Sequence, residues 1–199
     1  MINVKEKDEN RYKVEYLGEK FSHDLLTYKV IVLGLYGVGK TTIINRLMNK
    51  ETDKEYAPTI SVDVKNFQVK VNDKIIQIQI WDCCGNDDFA LHTSNLFKNA
   101  SIAIIVYAIN DINSFNNLEQ WYNILLNNSY GHIVFLIGNK SDLDDQRKVT
   151  IEEGKNYKNN YDDINMFFET SAQNSENIDK LLENIAIHYM KKMKKKKRN

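Results

Sequence analysis

"YKVIVLGLYGVGKTTIINRLMNK", Tyr28 to Lys50, decides how the rest of this chain is read. It opens with a short, β-branched apolar run that closes on Gly34. It continues as "GLYGVGKT", Gly34 to Thr41, and passes into a segment with Ile43, Ile44 and Leu47 at helical spacing. Two glycines five apart, followed by Lys and Thr between a strand and a helix start, make a loop whose backbone N–H groups can wrap a phosphate. Gly34, Gly37, Val38 and Gly39 shape that cradle. The helix N-terminus adds partial positive charge through the amides of Lys40, Thr41 and Thr42, and Lys40 adds a full charge near the terminal phosphates. The Thr41 hydroxyl is a magnesium ligand candidate.

The chain then alternates. "VKNFQVKV" (64–71) and "KIIQIQIWD" (74–82), joined by Asn72-Asp73, read as a hairpin. "SIAIIVYAI" (101–109) and "HIVFLIGN" (132–139) are continuous apolar runs of strands covered on both faces, with "SFNNLEQWYNILLNN" between them as an amphipathic helix. "INMFFETSA" supplies a sixth strand. Ile178, Leu181, Leu182, Ile185 and Tyr189 mark a last helix that is expected to fray into the basic end. The expected fold is therefore α/β: a six-stranded, mainly parallel sheet with one antiparallel edge strand and helices on both faces.

Composition narrows the function. The 199 residues suit one domain, with 42% hydrophobic and 27% charged residues. Lys+Arg and Asp+Glu both number 27, yet seven of the last nine residues, "KKMKKKKRN", are basic, so the remainder is net acidic. The two cysteines, Cys83 and Cys84, are adjacent, which suits neither a disulfide framework nor a zinc site. The four histidines show no ligand spacing, and no run approaches the length of a spanning helix. A cytoplasmic protein in a reducing compartment is expected. The basic end lacks interleaved aromatics, which disfavours nucleic acid as its partner.

After the fifth strand comes "NKSD", Asn139 to Asp142, at the sheet edge where ligands of such folds bind. The Asp142 carboxylate can accept from the N1–H and exocyclic amine of guanine, whereas adenine would leave it facing an acceptor, at a cost of a few kcal/mol. GTP or GDP is thus favoured over ATP.

With these motifs the chain resembles a small GTPase of the Ras superfamily, a P-loop NTPase, and "WDCCGND", "GNKSDL" and "ETSAQNSENIDKL" are most similar to the Rab branch. The resemblance runs from about Tyr28 to about Tyr189. It implies an N-terminal extension (1–27), a nucleotide-binding G domain (28–189) and a polybasic tail (190–199). In "SAQ", Ser171, Ala172 and Gln173 would flank the base, with the Ala172 N–H on the guanine carbonyl. Asn139 would tie the base loop to the phosphate loop, and the Lys140 stem would cover the base. In "EYAPTISVDV", Thr59 would ligate magnesium and sense the γ-phosphate. Asp82 would hold a magnesium water and the Gly85 N–H would contact the γ-phosphate. Loss of that phosphate would release both switch loops and change the protein partners: effectors, exchange factors and GTPase-activating proteins of a vesicle-traffic switch that acts as a monomer.

Three departures bear on turnover. Asn86 sits where the family usually has the glutamine that orients the attacking water, and it is shorter by about 1.5 Å. Either it holds the water poorly and hydrolysis is slow, or it is a turn residue and a partner supplies the missing group. Tyr36 falls where relatives carry Gly or Ser; its ring either crowds the γ-phosphate or turns outward. Thr52 stands where an aromatic ring usually stacks on guanine, and Tyr56 is the nearby candidate to compensate. The rival reading is a pseudo-GTPase, a guanine-nucleotide-binding module without useful turnover.

The basic tail leaves three readings open: weak, reversible docking to an anionic leaflet on the cytosolic face of a membrane, a solvated end, or a stretch just short of prenylated cysteines. No cysteine follows Cys84 and the second residue is Ile, so no lipid-anchor motif is expected in this sequence.

Overall fold

The structure, a computed structural model, describes residues 12–50, 59, 61–85, 96–128 and 133–196; for 195 and 196 only the backbone is described. Seven strands form one sheet: β1 (Val14–Gly18), β2 (Thr27–Leu33), β3 (Asp63–Val71), β4 (Lys74–Asp82), β5 (Ile102–Ala108), β6 (Ile133–Asn139) and β7 (Ile164–Thr170). Their spatial order is β1-β3-β4-β2-β5-β6-β7. The pairs β4/β2, β2/β5, β5/β6 and β6/β7 are parallel, while β3/β4 and β1/β3 are antiparallel. Among the described residues the helices are α1 (Lys40–Leu47), α2 (Ile112–Asn116), α3 (Leu118–Asn128), α4 (Ile151–Asn159) and α5 (Ile178–Lys196), with a 3-10 segment at Ser141–Gln146.

The apolar runs are explained by two-sided burial. In β2 and β5, Val30, Val32, Ile102, Ile104 and Val106 pack into one core with α1 and α5. The alternate residues Ile31, Leu33, Ala103, Ile105 and Tyr107 pack into a second core with α3, where Trp121 is fully buried. The expected hairpin is present, with Val71 opposite Lys74 and Asn72 in a left-handed conformation. The expected single helix before β6 is two helices, with Asn117 between them as the C-cap of α2.

The strand count and the edge differ from the expectation. Tyr12, just before β1, and Val14 and Tyr16 within it, all read as part of a charged extension, pack against the first core. The Tyr16 ring lies 5.6 Å from that of Phe67. The hairpin strand β3 is consequently interior, and β1 forms the outer antiparallel edge. Further on, Ser22 N–H donates to Gln77 Oε1 at 2.7 Å and Lys50 pairs with Glu19 at 2.8 Å.

The last helix does not fray at its charges but continues to Lys196, because lysine is a good helix former and cations suit a helix C-terminus. Lys192 donates to Ser101 Oγ at 3.1 Å and Lys194 to the Tyr12 hydroxyl at 2.9 Å, turning part of the basic end back onto the domain. No helix among the described residues is long and apolar enough to cross a membrane.

His188 on α5 lies against the Phe135 ring at 5.5 Å. Burial, reinforced by the Lys191 charge, pulls its pKa from 6.5 down to about 4. The folded state thus favours neutral imidazole, so this contribution is present above pH 6.5 and is lost as pH falls toward about 4. Urea denaturation across that window should show the wild type losing on the order of 1–2 kcal/mol more than His188→Gln, and equal slopes would contradict the assignment.

Candidate functional site

The phosphate loop follows β2, whose parallel neighbours β4 and β5 lie on opposite sides, so the loop opens at the switch point of the sheet. Gly39, the N-cap of α1, has φ 94° and no side-chain cap, which leaves the first amides of the helix without side-chain acceptors. A Cβ at Gly39 would also lie 2.4 Å from Asn139 Nδ2. Lys40 is 6% exposed and its ammonium donates to the loop carbonyls of Gly34 at 2.8 Å and Leu35 at 3.0 Å. Burial lowers its pKa, while the nearby Asp82, Cys83 and Cys84 oppose that shift. An anion seated in the loop would favour the charged form further.

At the end of β4, Asp82 is fully buried. Its Oδ2 accepts from the Thr41 hydroxyl at 2.6 Å, and the Thr41 and Thr59 hydroxyls lie 3.0 Å apart. The other carboxylate oxygen, Oδ1, is buried with no hydrogen-bond partner among the described residues. Burial raises the Asp82 pKa, opposed by the Thr41 bond and the charge of Lys40. One buried, unpartnered carboxylate oxygen beside two hydroxyls is a set of hard oxygen donors, which fits a small divalent cation such as magnesium.

Gly85 runs directly against the phosphate loop: a Cβ there would stand 2.1 Å from the Tyr36 nitrogen and 2.6 Å from the Leu35 carbonyl carbon. The Tyr36 side chain is 72% exposed. Asn86, Thr52, Tyr56, His92 and His132 lie outside the described residues, as do 55–58, 60 and 87 of the two switch stretches. Cys83 and Cys84 are buried and unbridged, and burial pushes the Cys83 thiol up to about 12, which suppresses thiolate chemistry there.

The base-side loops meet at Asn139, which is 2% exposed. Its Nδ2 donates to Val38 O at 2.8 Å, and its Oδ1 accepts from the Thr170 hydroxyl at 3.1 Å and Ala172 N–H at 3.3 Å. Lys140 turns the chain through a left-handed conformation, φ 68°. Ser171 donates its hydroxyl to Asp142 Oδ1 and accepts from the N–H groups of Gln173 and Asn174, both at 3.2 Å. The structure therefore brings Gly34, Gly37, Val38, Gly39, Lys40, Thr41, Thr42, Thr59, Asp82, Gly85, Asn139, Lys140, Asp142, Ser171, Ala172 and Gln173 to one end of the sheet.

The profile of the Ras family matches residues 29–191. The chain belongs to the Ras family. It is 36% identical over 158 residues, 79% of its length and 71% of the relative's, to Ras-related protein Rab-11B of Dictyostelium discoideum. It is a Rab-like small GTPase by family.

Two contributors escape sequence reading. Arg46 on α1 donates from Nε to Ala172 O at 2.8 Å and from its guanidinium end to Gln173 O at 3.1 Å, fastening the last loop to the phosphate-binding helix. Thr170 anchors the Asn139 carbonyl oxygen. An arginine within a helix carries no motif, and a threonine ending a strand reads as an ordinary β residue.

Asn139→Ala removes three hydrogen bonds and leaves buried partners unsatisfied. Urea denaturation of nucleotide-free protein should show a loss of about 2–4 kcal/mol, against well under 1 kcal/mol for Thr170→Ser. A loss below about 1 kcal/mol for Asn139→Ala would contradict the clamp.

Proposed function

We propose that this Rab-like GTPase binds GTP and GDP with magnesium, hydrolyses GTP slowly, and signals through two switch loops in vesicle-mediated transport. The observation that carries the nucleotide reading is the Asn139–Val38 bond, which joins the base-side loop to the phosphate loop across the sheet. In this reading the G domain spans 28–189, joined by strand β1 of the 1–27 extension, and 190–199 form a basic tail. That tail makes weak contact with anionic membranes at the cytosolic face, leaving the protein cytoplasmic and monomeric. Effectors, exchange factors and GTPase-activating proteins are its protein partners.

Each residue has a role in this reading. The loop amides from Gly34 to Thr42 hold the phosphates, Lys40 turns its remaining N–H toward the terminal ones, and Asp142, oriented by Ser171, accepts from guanine. Lys140 and the Ala172 N–H close over the base. Thr41, Thr59 and Asp82 would hold magnesium, which when bound neutralises charge on the β- and γ-phosphates. Water attacks the γ-phosphorus, the bond to the bridging oxygen breaks, and GDP and inorganic phosphate result. The Gly85 N–H would steady the γ-phosphate and Asn86 would orient the water.

Because a misplacement near 1 Å can cost on the order of a hundredfold, the shorter Asn86 sets the slow rate. Single-turnover hydrolysis of preloaded GTP should be slow in the wild type and roughly 10–100-fold faster in Asn86→Gln. No phosphate release by either protein at full nucleotide occupancy would overturn slow turnover in favour of a pseudo-GTPase.

A further inference from the structure

At the opposite end of the sheet order from β1, strand β7 forms the other edge, and among the described residues no strand lies beyond it. Beside it runs a groove of about 440 Å³ between α4 and the start of α5. Its apolar and charged lining is divided between the two faces of the sheet, Phe167 with Lys155 and Lys158 on the α4 side and Met166 and Phe168 with Lys180 on the α5 side. Among the described residues no carboxylate lines it.

The edge backbone is available for pairing. Glu169 O accepts from Asn177 Nδ2 at 2.8 Å and Ser171 N–H donates to Glu176 O at 3.2 Å, so the loop after β7 covers the upper part of this edge. Within a strand the N–H and C=O of one residue face the same side, and alternate residues face the same edge. Phe167, two residues before Glu169, therefore turns its N–H and C=O outward, level with the groove.

The charge there is not background. Outside the last nine residues the chain is net acidic, yet three lysines converge on this edge. Lys155 lies 3.9 Å from Glu152, with both side chains more than half exposed. Lys180 sits 5.3 Å from the Phe168 ring centre, and neither it nor Lys158 has a carboxylate partner among the described residues.

We propose that the β7 edge, with Lys155, Lys158 and Lys180, is a docking site for an extended acidic peptide that adds as a further strand, pairing its backbone with Phe167 and its carboxylates with the lysines. Alternate side chains of such a strand would fall in turn on the α4 side, by Phe167, Lys155 and Lys158, and on the α5 side, by Phe168 and Lys180. The site lies outside the nucleotide-binding loops, so it does not depend on the nucleotide reading.

The test uses the full chain and a capped eight-residue peptide, Val-Val-Glu-Glu repeated twice, which as a strand carries both residue types on each face, followed by fluorescence anisotropy and by amide chemical shifts. Saturable binding is expected, weakened as salt rises, with the Phe167 amide shifted and protected from exchange. Lys158→Glu/Lys180→Glu should weaken it about tenfold or more while leaving the melting temperature near that of the wild type. A peptide with N-methylated backbone amides keeps the charge and should lose the binding. Equal binding of the methylated peptide, no saturable binding at all, or lysine-dependent binding of anionic phospholipid vesicles in place of the peptide would each overturn the proposal.

Discussion

Everything at the functional end of this sheet hangs on one buried carboxamide. Asn139 spends its donor on the phosphate loop at Val38 and its acceptor on Thr170 and Ala172, so a single side chain fixes three segments that are distant in sequence. Arg46 repeats the logic from the other direction, running from α1 to the Ala172–Gln173 carbonyls. Loops that would otherwise be independent are thereby held in one arrangement, which is the preorganisation a small-ligand site needs.

The same end of the sheet concentrates buried charge. Lys40 at the start of α1 and Asp82 at the end of β4 are both desolvated, with pKa shifts toward their neutral forms, and one Asp82 oxygen has no partner among the described residues. Such an arrangement is costly when nothing complements it, and a phosphate with a divalent cation complements both signs at once. Ligand binding and stability are therefore linked: a nucleotide that seats here also stabilises the fold by mass action.

Much of this was legible in the residues, for identifiable reasons. Strands β5 and β6, and β2 from Val30 on, announce themselves because both faces are covered and their apolar runs are unbroken. The phosphate loop does so because its glycines meet steric demands that other residues cannot, as at Gly39 against Asn139. Strand β1 is hidden because its alternating Val14 and Tyr16, with Tyr12 just before them, are embedded among charges that read as a solvated extension. Helix α4 was missed although Thr150 and Glu153 form a capping box, because the helix buries little apolar surface and has weak periodicity. The positions of Arg46 and Ser171 depend on loop closure, which no local pattern encodes.

The central claim is that the loops clamped by Asn139 select guanine through Asp142. Calorimetric titration of nucleotide-free protein with GDP and with ADP, both with magnesium, tests it most directly. GDP should bind tighter by about a thousandfold, as expected when adenine leaves a desolvated carboxylate facing an acceptor. Affinities within about tenfold of each other would contradict it.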